Sequence, residues 1–234
     1  MCITNIMCGC RVRVTIPGTQ FLLPRPMTQL PNRLFTLGHS NAEMSDFLGT
    51  LLRHEIKVVC DVRSRPGSFR FPQFNRELLE ARLTLAKIHY DFLGEALGGR
   101  PLDPKFYHSN GLVDYAARRN AQDFREAVER VLKMAAQMNT ALLCAEEDPL
   151  HCHRFLLICP AIVQHGGSPQ HLRRGGLIES QREAEDRLLQ ANGFADVTSD
   201  SLFSQGRAAA LEDAFRLQTQ QYGFRTSPEA IEYF

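Results

Sequence analysis

The chain has 234 residues, 44% of them apolar and 23% charged, with a formal net charge of +1. These values suit one α/β domain with extensions, supply enough apolar residues for a core and exclude a globally disordered chain. Near-neutrality also argues against a protein that grips nucleic acid mainly by bulk charge.

The basic residues are skewed, with 23 Arg and 4 Lys. Arginine is the planar, two-pronged partner of carboxylate and phosphate. A genome bias can supply arginines, so their positions matter more than their number. The seven cysteines, Cys2, Cys8, Cys10, Cys60, Cys144, Cys152 and Cys159, are odd in number and irregular in spacing. They point to a reducing compartment, the cytoplasm, rather than to a disulfide framework. No apolar run is long enough to predict a membrane span. Residues 1–33 hold four Arg and no acid and are expected to lie outside the domain, as a disordered tail or an extension upstream of a start at Met27. The Cys8-Gly9-Cys10 pair has no second pair near it and is not read as a metal site. Without residues 1–33 the chain has 23 basic against 26 acidic residues, a net charge of −3.

From residue 34 the pattern alternates. Leu34-Phe35-Thr36-Leu37 reads as a buried strand ending in Gly38-His39-Ser40-Asn41, with Ser40 or Asn41 capping a helix that runs to about His54. Met44, Phe47, Leu48, Leu51 and Leu52 form that helix's apolar face. Residues 57–62 read as the next strand, closing a βαβ unit. After a long loop over 63–75, Asn75 is placed to cap a helix over 76–87, and 88–93 alternates like a strand. A loop over 94–110, a helix over 121–138 and a buried strand over 141–144 follow. Asp148-Pro149 predicts a helix start, with the helix reaching His165 and kinked by Pro160. Residues 170–172 read as a last strand, and the remainder as mostly helical. The pattern predicts an α/β three-layer sandwich with a mostly parallel sheet of Rossmann-like topology over residues 34–190, and a helical extension over 191–234. In such sheets ligands bind at the carboxyl ends of strands.

Three strand ends carry the unusual chemistry. The first ends in residues 38–41, the second in Asp61, Arg63, Ser64, Arg65 and Ser68, and the fourth in Cys144, Glu146 and Glu147, followed by His151-Cys152-His153-Arg154. The segments TLGHSN (36–41), CDVRSRPGSFRFPQFN (60–75), LGGRP (97–101), LLCAEEDPLHCHR (142–154) and QHLRRGGLIES (170–180), in that order, resemble the domain of unknown function 488 family. The resemblance implies an α/β domain and an intracellular protein, and implies no established activity.

Four uses of these residues follow from their chemistry. Thiol catalysis is suggested by Cys152, expected near a helix start where the dipole favours a thiolate. An Asp-Val-Arg strand end with a Cys at another resembles a sulfurtransferase layout, but the glycine-rich loop after the cysteine is missing. A phosphatase loop fails too, because its arginine position falls on Ile158. Metal binding by Cys144, Cys152, His153 and His39 suits zinc by residue type, but the spacing between the cysteines is not that of a structural zinc site, so no residue is assigned as a metal ligand and no cofactor is named.

The third use, binding or cleavage of a phosphorylated or nucleotide-like ligand, draws on the most features. Arg63, Arg65, Arg100 and Arg154 supply charged donors, and Arg63, Ser64 and Arg154 would bind the anion. His39, Ser40, Asn41 and Ser68 add polar groups, Phe74 offers a ring to stack a base alongside Phe69 and Phe71, and Asp61 or Glu146 would move protons. Cys144, Cys152 and His153 would orient the reacting group or take part. The fourth use is a recognition module without catalysis; nucleic acid is less favoured as its partner than a small anion, given the negative net charge after residue 33. The preferred reading requires Arg63, Cys144 and Arg154 to share one edge of the sheet. Cys60 and Cys159 are expected in the core, His89 in a structural role, and Glu147 in solvent.

Overall fold

The computed structural model describes residues 34–197 and 204–227; the expectations for residues 1–33, Cys2, Cys8, Cys10 and Met27 included, lie outside them. Six strands, β1 (Leu34–Gly38), β2 (Val58–Asp61), β3 (His89–Phe92), β4 (Thr140–Cys144), β5 (Gln170–Leu172) and β6 (Ile178–Ser180), form one sheet in the order β3-β2-β4-β1-β5-β6. The first five are parallel, and β6 runs antiparallel to β5. Two interior strands, β2 and β4, are buried along their whole length, as strands covered on both faces must be. On the edge strand β3, Tyr90 is buried and His89 is exposed, so the histidine expected in a structural role faces solvent.

The helices are α1 (Met44–Arg53), α2 (Arg76–Leu85), α3 (Gly94–Leu97), α4 (Tyr115–Arg119), α5 (Gln122–Gln137), α6 (Cys159–Gln164), α7 (Gln181–Ala191) and α8 (Ser204–Tyr222). Phe47 and Leu51 of α1 and Leu79 and Leu83 of α2 pack with Phe35, Leu37 and Val59 on one face of the sheet. Phe124 and Val131 of α5, Ile162 of α6, Leu188 of α7 and Ala214 of α8 pack with Val58, Cys60 and Leu142 on the other. This is the three-layer α/β sandwich. Cys60 and Cys159 are fully buried in the second core, as expected of free cysteines that pack as small apolar groups.

β1 and β2 are parallel members of one sheet with β4 between them; local periodicity reports burial, not the partner strand. The sequence expectations need four corrections. The helix after β1 has Glu43, rather than Ser40 or Asn41, at its N-cap, because the β1–β4 ladder continues through His39 N–H to the Cys144 carbonyl (3.0 Å) and Ser40 N–H to that of Ala145 (2.7 Å). Its Leu52 points to solvent. Asn75 precedes α2, but its Oδ1 accepts from the Ser68 N–H at 2.6 Å and ties back the loop instead of capping.

The fourth concerns the segment after Asp148. The Asp148 carboxylate does accept from the Leu150 N–H at 3.0 Å, but only a 3₁₀ turn, Pro149–His151, follows. Cys152 is extended (φ −133°, ψ 140°); the chain resumes in a π-helical turn, Arg154–Ile158, and only then becomes α6. Pro160, with no N–H to donate, falls in the first turn of α6 rather than inside a longer helix, and the turn before it is the π-helical one, a form common at functional sites.

Candidate functional site

α1 leaves β1 over one face and the segment after β4 leaves over the other, so the chain opens at the carboxyl ends of β1, β4 and β2. That opening is a cleft of about 640 Å³, lined by His39, Arg63, Ser64, Arg65, Ser68, Arg100, Cys144, Glu146 and His153 among others. A crevice where neighbouring strands send their connections to opposite faces is the usual ligand position in open α/β sheets.

The β2 end builds the wall. Asp61 is fully buried, and its carboxylate accepts from Arg63 Nε (2.9 Å), Arg63 Nη2 (2.6 Å) and the Tyr90 hydroxyl (2.8 Å). Arg63 Nη1 donates to the Phe74 carbonyl (2.9 Å) and to His39 Nε2 (3.2 Å). A guanidinium only donates, so His39 Nε2 must accept, and the ring proton sits on Nδ1, which donates to the Ser40 carbonyl at 2.9 Å. Burial, then the Arg63 charge, lowers the His39 pKa to about 4. Phe74 is buried and stacks on the His39 ring at 4.2 Å, so it supports the wall and does not face a ligand. Ser64 Oγ accepts from the Arg100 N–H at 3.0 Å and holds the 97–101 loop over the cleft.

The β4 end builds the floor. Cys144 Sγ donates to Glu146 Oε2 at 3.1 Å and lies 3.5 Å from His153 Nδ1; Cys152 Sγ lies 3.9 Å from the same nitrogen. His153 Nε2 donates to the Val62 carbonyl at 2.8 Å, which aims Nδ1 at the two sulfurs. The extended backbone at Cys152, followed by a helical His153, sends both side chains to one point. Burial opposes ionisation of Cys152, but Cys144, the Arg154 guanidinium and His153 outweigh it and hold this thiol well below its ordinary range. Burial, then the neighbouring Cys152, pushes Cys144 well above it. Burial of the carboxyl, then Cys152, also raises Glu146. Two glycines permit this closeness. A Cβ on Gly38 would sit 1.6 Å from the Glu146 carbonyl oxygen, and one on Gly99 would sit 2.6 Å from the His153 ring.

Arg154 is the largest departure from expectation. It shares the sheet edge with Arg63 and Cys144, but it is completely buried beneath the floor. Its Nε donates to Thr36 Oγ1 (3.2 Å), Nη1 to the Glu146 carbonyl (2.5 Å) and Nη2 to that of Glu147 (2.6 Å). It shapes the 144–147 turn and cannot touch a ligand in the cleft. Cys152, at 1% exposure, reaches the cleft only through its neighbours. Ser40 and Asn41 line a separate cleft on the far side of β1. Glu147, expected in solvent, accepts from Arg173 Nε (3.0 Å) and Nη2 (2.9 Å).

Tyr115, His151 and the 222–225 segment also line the site. His151 stacks on Tyr222 at 4.0 Å, and Arg100 lies over the Phe224 ring at 4.7 Å. The 222–225 segment arrives because the chain after α8 pairs back through the Val113 N–H and Phe224 carbonyl (3.0 Å). His151 was visible as part of the HCHR run, whereas nothing local marks Tyr222 or Phe224.

The fold and site define an α/β protein with a thiol- and arginine-lined crevice at its strand ends. The sequence profile of the domain of unknown function DUF488 matches residues 43–159, and the chain belongs to this family. The strand end at residues 38–41 and the 170–180 stretch lie outside the matched residues. No curated protein and no solved structure matches the chain. Among the described residues no helix is long and apolar enough to cross a membrane.

Proposed function

We propose that this protein is an enzyme acting on a phosphorylated or nucleotide-like ligand bound at the carboxyl ends of β1, β2 and β4. The supporting observation is the pairing of an arginine rim with a proton-transferring floor. Arg65 and Arg100 are exposed on the cleft, and neither has a carboxylate partner among the described residues, so their charge is available to an anion. Glu146, whose pKa is raised, opens onto the same space and can transfer a proton to or from a ligand there.

Asp61 and Arg63 are committed to each other and take positioning roles: they hold His39 and the wall while Arg65 and Arg100 make the contacts. The stacked His151–Tyr222 pair and Phe71 offer flat faces for a base. The chain after residue 33 carries a net charge of −3, which favours a small ligand over a long nucleic-acid footprint.

Calorimetric titration with a panel of nucleotides and phosphorylated metabolites, with turnover assayed in parallel, tests this. Arg65→Ala and Arg100→Ala are each expected to weaken binding about tenfold, the loss of one charge-assisted contact. Glu146→Gln is expected to keep binding and lose about 10²–10⁴ in rate. Wild-type protein that binds none of the panel would overturn the reading. Binding without turnover would make the cleft a recognition module, an outcome that the full commitment of Asp61 to Arg63 and Tyr90 favours.

A further inference from the structure

We infer that Cys144, Cys152 and His153 form a zinc site whose fourth position opens into the cleft beside Glu146. Their donor atoms, two Sγ and Nδ1, lie within 4.8 Å of one another. A tetrahedral zinc with ordinary Zn–S and Zn–N bonds separates sulfur from nitrogen by about 3.6 Å; here the two separations are 3.5 and 3.9 Å. The close pair of residues 152 and 153 supplies one sulfur and the nitrogen, and a strand end far away in sequence supplies the other sulfur. The nine-residue step from Cys144 to His153 therefore matters less than the extended backbone at Cys152 that folds the pair inward.

The surroundings are those of a metal site rather than of two packed thiols. His153 donates its other nitrogen to the Val62 carbonyl, the outer contact that fixes a metal-ligating imidazole with its free nitrogen toward the ion. The Arg154 N–H points at Cys152 Sγ (3.5 Å), and the buried Arg154 guanidinium beneath supplies positive charge that offsets an anionic dithiolate. Three protein ligands with one open position is the arrangement of catalytic rather than structural zinc. Cys144, Glu146 and His153 line the cleft while Cys152 is enclosed, so the open position faces the ligand space. A phosphoryl or carbonyl oxygen there would meet a Lewis acid with a carboxylate alongside. The site rests on donor geometry and would stand whether the cleft turns a ligand over or only binds it.

The test uses the full chain. Elemental analysis of protein purified without chelator is expected to give about one zinc per chain. Cobalt added to the stripped protein is expected to give sulfur-to-cobalt charge-transfer absorption and intense tetrahedral visible bands. Bound metal should shield Cys144 and Cys152 from alkylation without changing Cys60 or Cys159. Cys152→Ser and His153→Ala should each weaken cobalt binding at least about tenfold, whereas Cys159→Ser should not. The site is disproved by folded wild-type protein that shows no such absorption, by an unchanged spectrum in both variants, or by a Cys144–Cys152 disulfide forming in the presence of zinc. If the variants do not fold, the wild-type cobalt spectrum and alkylation protection decide. Metal binding without turnover of any ligand would leave this site standing and remove only the catalytic reading.

Discussion

Two clefts of similar size flank the end of β1, about 580 Å³ on the β5 side and about 640 Å³ on the β4 side, and both are lined with arginine. In the first, Arg173 meets Glu147 at 2.9 Å and Glu179 at 2.6 Å, and Arg174 bonds Asn41. In the second, Arg65 and Arg100 have no acidic partner among the described residues and stand over two cysteines, a histidine and a glutamate. Arg173 therefore serves cohesion on one side, whereas Arg65 and Arg100 are left available on the other. The partners of each arginine, not the number of arginines, decide its use.

The sharpest way to break this comparison is Arg154, which bonds the carbonyls of Glu147, on the first cleft, and Glu146, on the second. Arg154→Ala would leave the Glu146 and Glu147 carbonyls without their donor and open a cavity, so a loss of about 3–5 kcal/mol is expected in denaturant unfolding. A near-wild-type midpoint would show that the floor does not depend on it. Arg173→Ala removes a half-buried network and should cost about 1–2 kcal/mol while leaving anion binding in the other cleft unchanged. A parallel loss of binding would mean that the two clefts are coupled.

A smaller effect concerns acid. Burial would raise the Asp148 carboxyl, but its hydrogen bonds from Arg187 and the Leu150 N–H hold it down at about 2. A depressed carboxylate contributes stability above its ordinary pKa, and that contribution disappears as pH falls from about 4 toward 2. With solvent screening at this half-exposed pair the amount is on the order of 1 kcal/mol. Asp148→Asn should remove that part of the acid sensitivity; an unchanged slope of stability against pH in that window would refute it. Least of all, Arg65→Ala should shift stability by no more than about 0.5 kcal/mol, so its effect on ligand affinity can be read without correction.

Much of the site was legible in the order of motifs. Strand ends are recognisable because buried apolar runs stop abruptly, and the polar residues that follow must sit at the sheet edge. That logic placed His39, Arg63, Cys144, Glu146 and His153 together. It failed for Arg154, because a charged residue in a motif reads the same whether it faces a ligand or three buried oxygen acceptors. It failed for the Cys152–His153 turn, because Asp148-Pro149 is a sound helix start and nothing nearby announces an extended residue four positions later. It failed for Tyr222 and Phe224, whose place depends on how α8 packs.

The arginine bias that stood out in the composition resolves in the same way. The sequence by itself determined the α/β class, the family and the set of strand-end residues, since these follow from local periodicity and motif order. Only the tertiary structure decided that β4 slides between β1 and β2, that two cysteines and a histidine converge on one point, and which arginines keep an unpaired charge. Those are properties of long-range pairing: a hydrogen bond or ion pair is defined by where its partner lies in space, and chain order does not carry that information.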